Sequence, residues 1–192
     1  ASKNTDILVD LSGFTKNSRS MLAAYKPAKK HINWLGFPST MGYINSSPLY
    51  DHILVDHYIV PDTHKPYYAE NIIYLPNCYQ PNIENRPLLL PVNKELFGFS
   101  DDIFIYASFG QTIKITENQF NLWLRILKDT SNSILWLLES NTDSMESLTS
   151  FAEKKGIESS RICFAKKTDI DEHINRHQVI DLYLDTYPYN SH

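Results

Sequence analysis

Two short segments in the second half of the chain carry residue types that bind phosphorylated ligands. Residues 109–115 contain Gln111 and Lys114, and they lie between an apolar run and a helical pattern. Residues 185–192 follow another apolar run and are rich in polar and aromatic side chains. Open α/β sheets bind phosphorylated ligands at the carboxyl ends of their strands. The two segments together therefore indicate a sugar-nucleotide site.

Lys114 is the sharpest candidate for binding. It is predicted where a loop turns into a helix, and the free backbone N–H groups and dipole of a helix N-terminus favour an anion. A lysine at that position adds a point charge that suits a diphosphate. Ile113 and Ile115 flank it and are expected to be buried, which would fix the backbone. The alternative is a solvated surface lysine with no role in binding.

Three further residues have side chains suited to a nucleotide. His173 and Arg176 are three positions apart in a predicted helix, so they share a helix face. An imidazole can stack on a nucleobase, and a guanidinium can bind a carbonyl or a phosphate. His192 follows a predicted strand, a place suited to phosphate contact. The alternatives are an exposed polar helix face for the first two and a frayed terminus for His192.

Composition excludes several classes of function. A hydrophobic content of 42% over 192 residues is enough for a folded core, and a net charge of -4 argues against binding a nucleic-acid backbone. No apolar run approaches the roughly 20 residues of a membrane span. Cys78 and Cys163 show no metal-ligand spacing and are interpreted as free thiols, which favours a cytoplasmic protein. The sequence contains no dinucleotide-binding glycine fingerprint, no phosphate-binding loop and no readable Ser-His-Asp order.

The second half is predicted to alternate strictly between strands and helices. Apolar runs predict strands at 103–107, 134–138, 161–164 and 181–184, and helical patterns lie between them. Thr116 can cap the first helix, and Gly156 can end the second in a left-handed conformation. Buried strands that alternate with helices predict an α/β fold with a parallel, doubly wound sheet.

The first half is predicted to be a separate α/β piece. Its strands are predicted at 6–11, 31–36, 53–55 and 72–75, with helical segments at 16–25 and 64–70. Four prolines then interrupt regular structure between residues 76 and 99, which is long for a connection inside one domain. The chain is therefore expected to contain domains at 1–76 and 101–192, joined by a Pro-rich linker at 77–100.

Several segments of the chain match one known family, and they occur in the family's order. The chain resembles the catalytic region of the O-linked N-acetylglucosamine (O-GlcNAc) transferase family, which includes bacterial members and the plant SPINDLY proteins. This collinearity is more specific than any single motif. The matching segments are 6–16, 34–42, 67–70, 74–76, 109–115, 134–138, 172–173 and 184–186, together with Asn190 and His192.

The resemblance implies an inverting GT-B glycosyltransferase with two Rossmann-like lobes and no metal or other cofactor. The implied donor is UDP-GlcNAc, and the implied acceptor is a serine or threonine hydroxyl of a protein. The chain would be an internal piece holding the end of the first lobe and the start of the second, inactive alone, and its short linker favours the bacterial form. The family's tetratricopeptide repeats would lie outside it. The alternatives are a GDP-fucose donor, as in SPINDLY proteins, and a noncatalytic α/β nucleotide-binding module.

The resemblance also implies roles in the second lobe. Lys114 would be catalytic, because it would hold the diphosphate and neutralise charge on the departing nucleotide. Gln111 would contact the nucleotide, His173 and Arg176 would hold the uracil end, and His192 would contact the phosphates.

In the first lobe, the resemblance places Leu35 and Gly36 in a loop near the sugar. Phe14, Lys16 and Arg19 occupy the position of a Tyr-Thr-Lys segment near the cleft, with phenylalanine in place of tyrosine.

Overall fold

The computed structural model describes residues 4–82 and 89–190 of the chain. The chain divides into two compact units, Ala1–Asn85 and Arg86–His192. Each unit contains its own four-stranded parallel sheet. In the described part of the chain, no helix combines the length and apolar character needed to cross a membrane.

The first unit is built on a sheet in the order β1-β2-β5-β6, and all neighbouring strands are parallel. A separate antiparallel pair, β3 and β4, forms a hairpin whose turn residues Asn45 and Ser46 have positive φ angles of 49° and 64°. Positive φ at both central residues matches the right-handed twist of the flanking strands. The strands are β1 (Thr5–Asp10), β2 (Ala28–Trp34), β3 (Tyr43–Ile44), β4 (Ser47–Pro48), β5 (His52–Val55) and β6 (Asn71–Tyr74).

The helical segments of the first unit are shorter and tighter than the sequence predicted. Each is a 3₁₀ helix, at Ser20–Tyr25 and Asp62–Tyr67, instead of the helices expected at 16–25 and 64–70. The first ends at Lys26, whose left-handed conformation is followed by a proline. The second contains Pro66, which has no N–H to donate to an α-helical hydrogen bond.

The second unit is a sheet in the order β10-β7-β8-β9, with every neighbouring pair parallel. Ile105 pairs with Ile134 in parallel register, which confirms the predicted parallel sheet. The elements are β7 (Phe104–Ser108), α1 (Glu117–Asp129), β8 (Ser133–Leu138), α2 (Thr142–Lys154), β9 (Ile162–Ala165), α3 (Ile170–Arg176) and β10 (Leu182–Tyr183).

Polar side chains cap the helices of the second unit, and the Thr116 cap is the one that the sequence predicted. The Thr116 hydroxyl accepts a hydrogen bond from the Gln119 N–H at 3.2 Å, and Asn141 and Asp169 cap α2 and α3 in the same way. Gly156 follows α2 with a φ of +81°, the left-handed conformation that favours glycine. These caps fix where the loops after β7, β8 and β9 turn back toward the helices.

Both faces of the second sheet are covered by apolar side chains, because alternate residues of β7 and β8 point to opposite faces. One core packs α1 and α2 against the sheet, and the other includes the aromatic residues of the segment before β7. The first contains Tyr106, Phe120, Trp123, Leu124, Leu127, Leu135, Leu137, Ala152, Ile157 and Ile162. The second contains Ile105, Ala107, Phe109, Ile134, Trp136, Ala165 and Val179.

The Pro-rich segment contributes to both units at its ends. Tyr79 is buried in the first unit, where its carbonyl accepts a hydrogen bond from Trp34 Nε1 at 2.9 Å. Farther along, a 3₁₀ helix at Lys94–Phe97 lies in the second unit, and Phe97 and Phe99 pack against Trp136. The division between the units, at residues 85 and 86, falls inside the segment predicted as a linker.

Candidate functional site

A cleft of about 750 Å³ opens beyond the carboxyl end of β7 in the second unit. Three of the residues predicted to bind a nucleotide, Gln111, Lys114 and His173, line this cleft. The cleft therefore lies at the sheet edge where open α/β sheets bind ligands. The other lining residues are Phe109, Gly110, Ile113, Tyr183 and Tyr189.

The loop after β7 presents Gln111 and Lys114 to the cleft. The strand ends at Ser108, and a 3₁₀ helix at Thr112–Lys114 precedes α1. The prediction that Ile113 is buried is wrong, because its side chain is 88% exposed. The 3₁₀ helix lies beyond the strand and turns Ile113 toward solvent, whereas Ile115 packs against the core beneath α1 as expected.

Lys114 contacts the second of the two segments that the sequence singled out. Its Nζ donates a hydrogen bond to the Asn190 carbonyl at 3.0 Å and lies 4.6 Å from the centroid of the Tyr189 ring. The two segments, 76 residues apart at this contact, thus meet at the cleft.

Phe109 lies at the centre of an aromatic cluster beneath the cleft. Its ring is nearly buried and makes edge contacts with Trp136 and His177. Its backbone N–H donates to the Tyr183 hydroxyl at 2.8 Å, and the Arg176 guanidinium lies 4.4 Å from its ring centroid. The start of the Lys114 loop is therefore held by both hydrogen bonding and ring packing.

His173 and Arg176 share a helix face, as predicted, and contact each other directly. The buried Arg176 guanidinium donates to His173 Nδ1 and to the Lys166 carbonyl, the latter at 2.7 Å. Because Nδ1 accepts, the proton of a neutral His173 ring resides on Nε2. Burial lowers the pKa of His173 below its ordinary value, and the charges of Arg176 and His177 lower it further. The ring is consequently neutral at pH 7.

Arg176 acts on the cleft through other residues and does not line it. It lines a neighbouring cavity of about 710 Å³, together with Trp136 and Lys167. Its Nε has no hydrogen-bond partner among the described residues. His192, the last residue predicted for this site, lies outside the described residues.

The loop after β8 extends the site on the side of Gln111. A cavity of about 500 Å³ lies between the loops that follow β7 and β8. Gln111, Asn141 and Lys167 are among its lining residues. Gln111 thus lies at the boundary of two open spaces along the same sheet edge.

In the first unit, the loops after β1 and β2 pack against each other. The Gly36 N–H donates to the Leu11 carbonyl at 3.0 Å, and a Cβ at Gly36 would lie only 2.4 Å from that oxygen. Leu35 precedes it with a φ of 79°. Phe14 is 53% exposed and packs edge-on against Phe37. The structure thus brings Phe14 close to the loop that contains Leu35 and Gly36.

Lys16 and Arg19 also lie in the loop after β1. In the described structure, neither side chain takes part in the contact between that loop and the loop after β2. Lys16 is exposed, and Arg19 lines a cavity of about 390 Å³ with Asp10 and Tyr50. Burial would raise the pKa of Asp10, but hydrogen bonds from Tyr50, Ser12, Ser20 and Gly13 outweigh it and lower the pKa. Asp10 is therefore an ionised anchor for the loop after β1.

The sequence model of glycosyl transferase family 41 matches residues 1–83 and 80–192, which together are the whole chain. The chain belongs to glycosyl transferase family 41. Among solved structures, a mutant of the O-GlcNAc transferase of Thermobaculum terrenum aligns with 97% of this chain at 25% identity and a TM-score of 0.80. This match confirms the predicted fold class, an α/β GT-B fold with parts of two Rossmann-like lobes.

Two curated relatives carry the same description of activity. A probable UDP-N-acetylglucosamine–peptide N-acetylglucosaminyltransferase, SEC of Arabidopsis thaliana, is 32% identical over 97% of this chain. A SPINDLY protein of Solanum lycopersicum with the same description is 29% identical over 96% of it. These alignments span 19% and 20% of the relatives' own lengths, and the chain spans 34% of the solved transferase.

Three aromatic residues that line the cleft were given no role from the sequence of this family 41 chain. Phe109 follows an apolar strand and Tyr183 lies within one, so neither could be distinguished from a core residue by sequence pattern. Tyr189 lies in the polar segment 185–192, and its aromatic ring there was the one available signal. Among the described residues, no group of three or more His, Cys, Asp or Glu side chains is placed to hold a metal ion.

Proposed function

We propose that this chain supplies the nucleotide-sugar site of a protein O-GlcNAc transferase. The enzyme transfers N-acetylglucosamine from UDP-GlcNAc to serine or threonine hydroxyls of a protein acceptor. The observation that carries the proposal is the convergence of Gln111, Lys114 and His173 on one cleft at the carboxyl edge of the second sheet. Membership of glycosyl transferase family 41 and the names of the relatives support it.

Lys114 has the central role in this mechanism. The acceptor hydroxyl oxygen bonds to the anomeric carbon as the bond from that carbon to the diphosphate oxygen breaks. The hydroxyl proton leaves to a group other than the Lys114 ammonium, and the electron pair of the broken bond goes to the diphosphate. A fixed positive charge at the point where negative charge develops lowers the barrier. Lys114 supplies this charge in a reaction that requires no metal.

His173 and Arg176 form the nucleobase end of the proposed site. His173 offers a neutral ring for stacking on uracil and an Nε2–H for donating a hydrogen bond. Arg176 holds the uracil end through His173, because its guanidinium is buried against that ring and against Phe109. Gln111 contacts the nucleotide beside Lys114, and His192 contacts the phosphates.

The Lys114→Ala variant of the full-length enzyme tests this proposal. Loss of the ammonium should reduce transfer of labelled N-acetylglucosamine to a peptide by about 100-fold or more, which is typical of removing a key transition-state donor. Lys128→Ala is the matched control, since Lys128 is exposed on α1. Full activity of Lys114→Ala would contradict the proposed role.

A donor comparison separates the remaining alternatives. The full-length enzyme should transfer label from UDP-GlcNAc and not from GDP-fucose, with or without EDTA. Transfer from GDP-fucose alone would assign fucosyl transfer, and loss of activity in EDTA would contradict metal independence. Nucleotide binding without transfer from either donor would identify a noncatalytic module.

A further inference from the structure

The segment from Asp185 to Asn190 is a turn that closes on itself through hydrogen bonds. The Thr186 hydroxyl donates to the Tyr189 carbonyl at 2.6 Å, and the Asn190 side-chain amide donates to Asp185 Oδ2 at 3.0 Å. Thr186 is only 1% exposed, so the turn is anchored in the body of the second unit. The backbone at Tyr189 and Asn190 is therefore fixed by contacts that do not involve Lys114.

This turn presents two different groups to the Lys114 ammonium. The Asn190 carbonyl accepts one hydrogen bond at 3.0 Å, and the face of the Tyr189 ring lies 4.6 Å away. An ammonium has three N–H donors. The Asn190 carbonyl is the one hydrogen-bond acceptor for Lys114 among the described residues. The Tyr189 ring attracts the positive charge of Lys114 without needing a directed N–H bond. Two donors remain for oxygens of a ligand in the cleft.

The contact matters because lysine is a flexible side chain. Immobilising a side chain with many rotamers on binding costs about 0.5–1.5 kcal/mol. A lysine already held at the cleft avoids part of that cost and keeps its charge in place as the reaction proceeds. Tyr189 also lines the cleft itself, so its ring contacts Lys114 within the space that a ligand would occupy.

We propose that Tyr189 is a positioning residue that holds the Lys114 ammonium, by its ring face, where it meets the diphosphate of the donor. This inference rests on the proposed function of Lys114 and assigns a partner to it. The ring is the essential part, because in the described part of the chain the Tyr189 hydroxyl forms no hydrogen bond with Lys114 and the Tyr189 carbonyl accepts its hydrogen bond from Thr186.

A double-mutant cycle on the full-length enzyme tests the inference, with UDP as the probe and its Kd measured by calorimetry. Tyr189→Ala should weaken UDP binding by about 3- to 10-fold, the range that corresponds to the cost of immobilising the lysine. Tyr189→Phe should stay within about 2-fold of the wild type, because it keeps the ring face. In the Lys114→Ala background, Tyr189→Ala should have no further effect, since there is no ammonium left to hold.

Tyr187→Ala is the matched control, since Tyr187 is in the same turn, is 73% exposed and has no ring contact with Lys114 in the described structure. It should bind UDP as the wild type does. The inference would be overturned if Tyr189→Ala weakened UDP binding equally in the presence and absence of Lys114. It would also be overturned if Tyr189→Phe bound UDP as weakly as Tyr189→Ala. Failure of the proposed function has a different signature, namely a Lys114→Ala variant that binds UDP and transfers sugar as well as the wild type.

Discussion

At the scale of single residues, the cleft is lined by a half-buried lysine and by a histidine whose neutral tautomer is fixed by a neighbouring arginine. Lys114 reaches the cleft, whereas the nearby Arg176 is buried and uses its charge internally. The guanidinium accepts no hydrogen bonds, so its contact with His173 Nδ1 fixes which nitrogen of that ring carries the proton. A buried arginine thus determines which nitrogen of a half-buried histidine at the cleft carries the proton.

The lowered pKa of His173 predicts a pH dependence of stability. His173 binds its proton less tightly in the folded state than in the unfolded state, where its pKa is near 6.5. The stability that the neutral ring contributes is therefore fully present above pH 6.5. That contribution should be lost as the pH falls below 6.5 toward the lower folded value. The Arg176 guanidinium and the rings of Phe109 and His177 adjoin the His173 ring. The Tyr183 ring lies beyond them, against Phe109 and His177.

Thermal unfolding of the wild type and of His173→Gln at pH 7.5 and pH 5.5 measures this effect. The advantage of the wild type over the variant should shrink at the lower pH. A pH-independent difference for His173→Gln would show that protonation of this ring is not linked to folding.

At the scale of elements, the start of β7 is tied to the segment that precedes it. Lys94 Nζ donates to the Ile103 carbonyl at 2.7 Å and to Asp181 Oδ2 at 2.9 Å, and the same carboxylate accepts the Ile105 N–H at 2.8 Å. Burial would raise the pKa of Asp181, but these hydrogen bonds and the Lys94 charge outweigh it and lower the pKa. One ion pair therefore joins the 3₁₀ helix, β7 and the residue before β10.

Removal of the Lys94 ammonium should destabilise the second unit. Lys94→Met should lower the free energy of unfolding by about 1–3 kcal/mol, because it leaves a partly buried carboxylate and a carbonyl without their charged donor. Urea denaturation of the purified chain measures this change.

Lys29→Met is the matched control, because the ion pair of Lys29 with Asp6 is 2.6 Å long but has both side chains 73% exposed. Exposed pairs contribute little to stability. If the two variants lose the same stability, the ion pair of Lys94 does not have the structural role assigned to it.

At the scale of the whole molecule, the chain consists of two compact α/β units that belong to one glycosyltransferase family. It spans about a fifth of the length of the curated relatives described above and 34% of the solved transferase. The residues proposed to bind the nucleotide sugar all lie in the second unit.

The isolated 192-residue chain is expected not to catalyse transfer. Incubation with labelled UDP-GlcNAc and a peptide acceptor should give no glycosylated product, because GT-B chemistry depends on groups from both lobes and the chain corresponds to a third of the solved relative. The full-length enzyme, assayed in parallel, should give product. Sustained transfer by the isolated chain that disappears in Lys114→Ala would overturn this expectation.

Local sequence signals were sufficient for most elements of the second unit. The apolar runs predicted β7, β8 and β9, and Thr116 and Gly156 marked helix ends, because strand burial and helix capping depend on neighbouring residues. The family resemblance, based on the order of short segments, was likewise a property of the sequence. The sequence predicted a longer helix where the structure has the short 3₁₀ helix Ser20–Tyr25, since the local sequence patterns of the two kinds of helix are similar.

Tertiary structure decided which side chains reach the cleft. Ile113 is exposed, Arg176 is buried, and Tyr189 lies beside Lys114, and none of these facts follows from local periodicity. The hydrogen bond of Lys114 joins residues 76 positions apart in the chain. Such contacts are set by the order of strands in the sheet, which brings the loops after β7 and β10 to one edge. The sequence by itself determined the kinds of groups in the site, and folding determined their partners, because charge, burial and hydrogen bonding depend on neighbours in space.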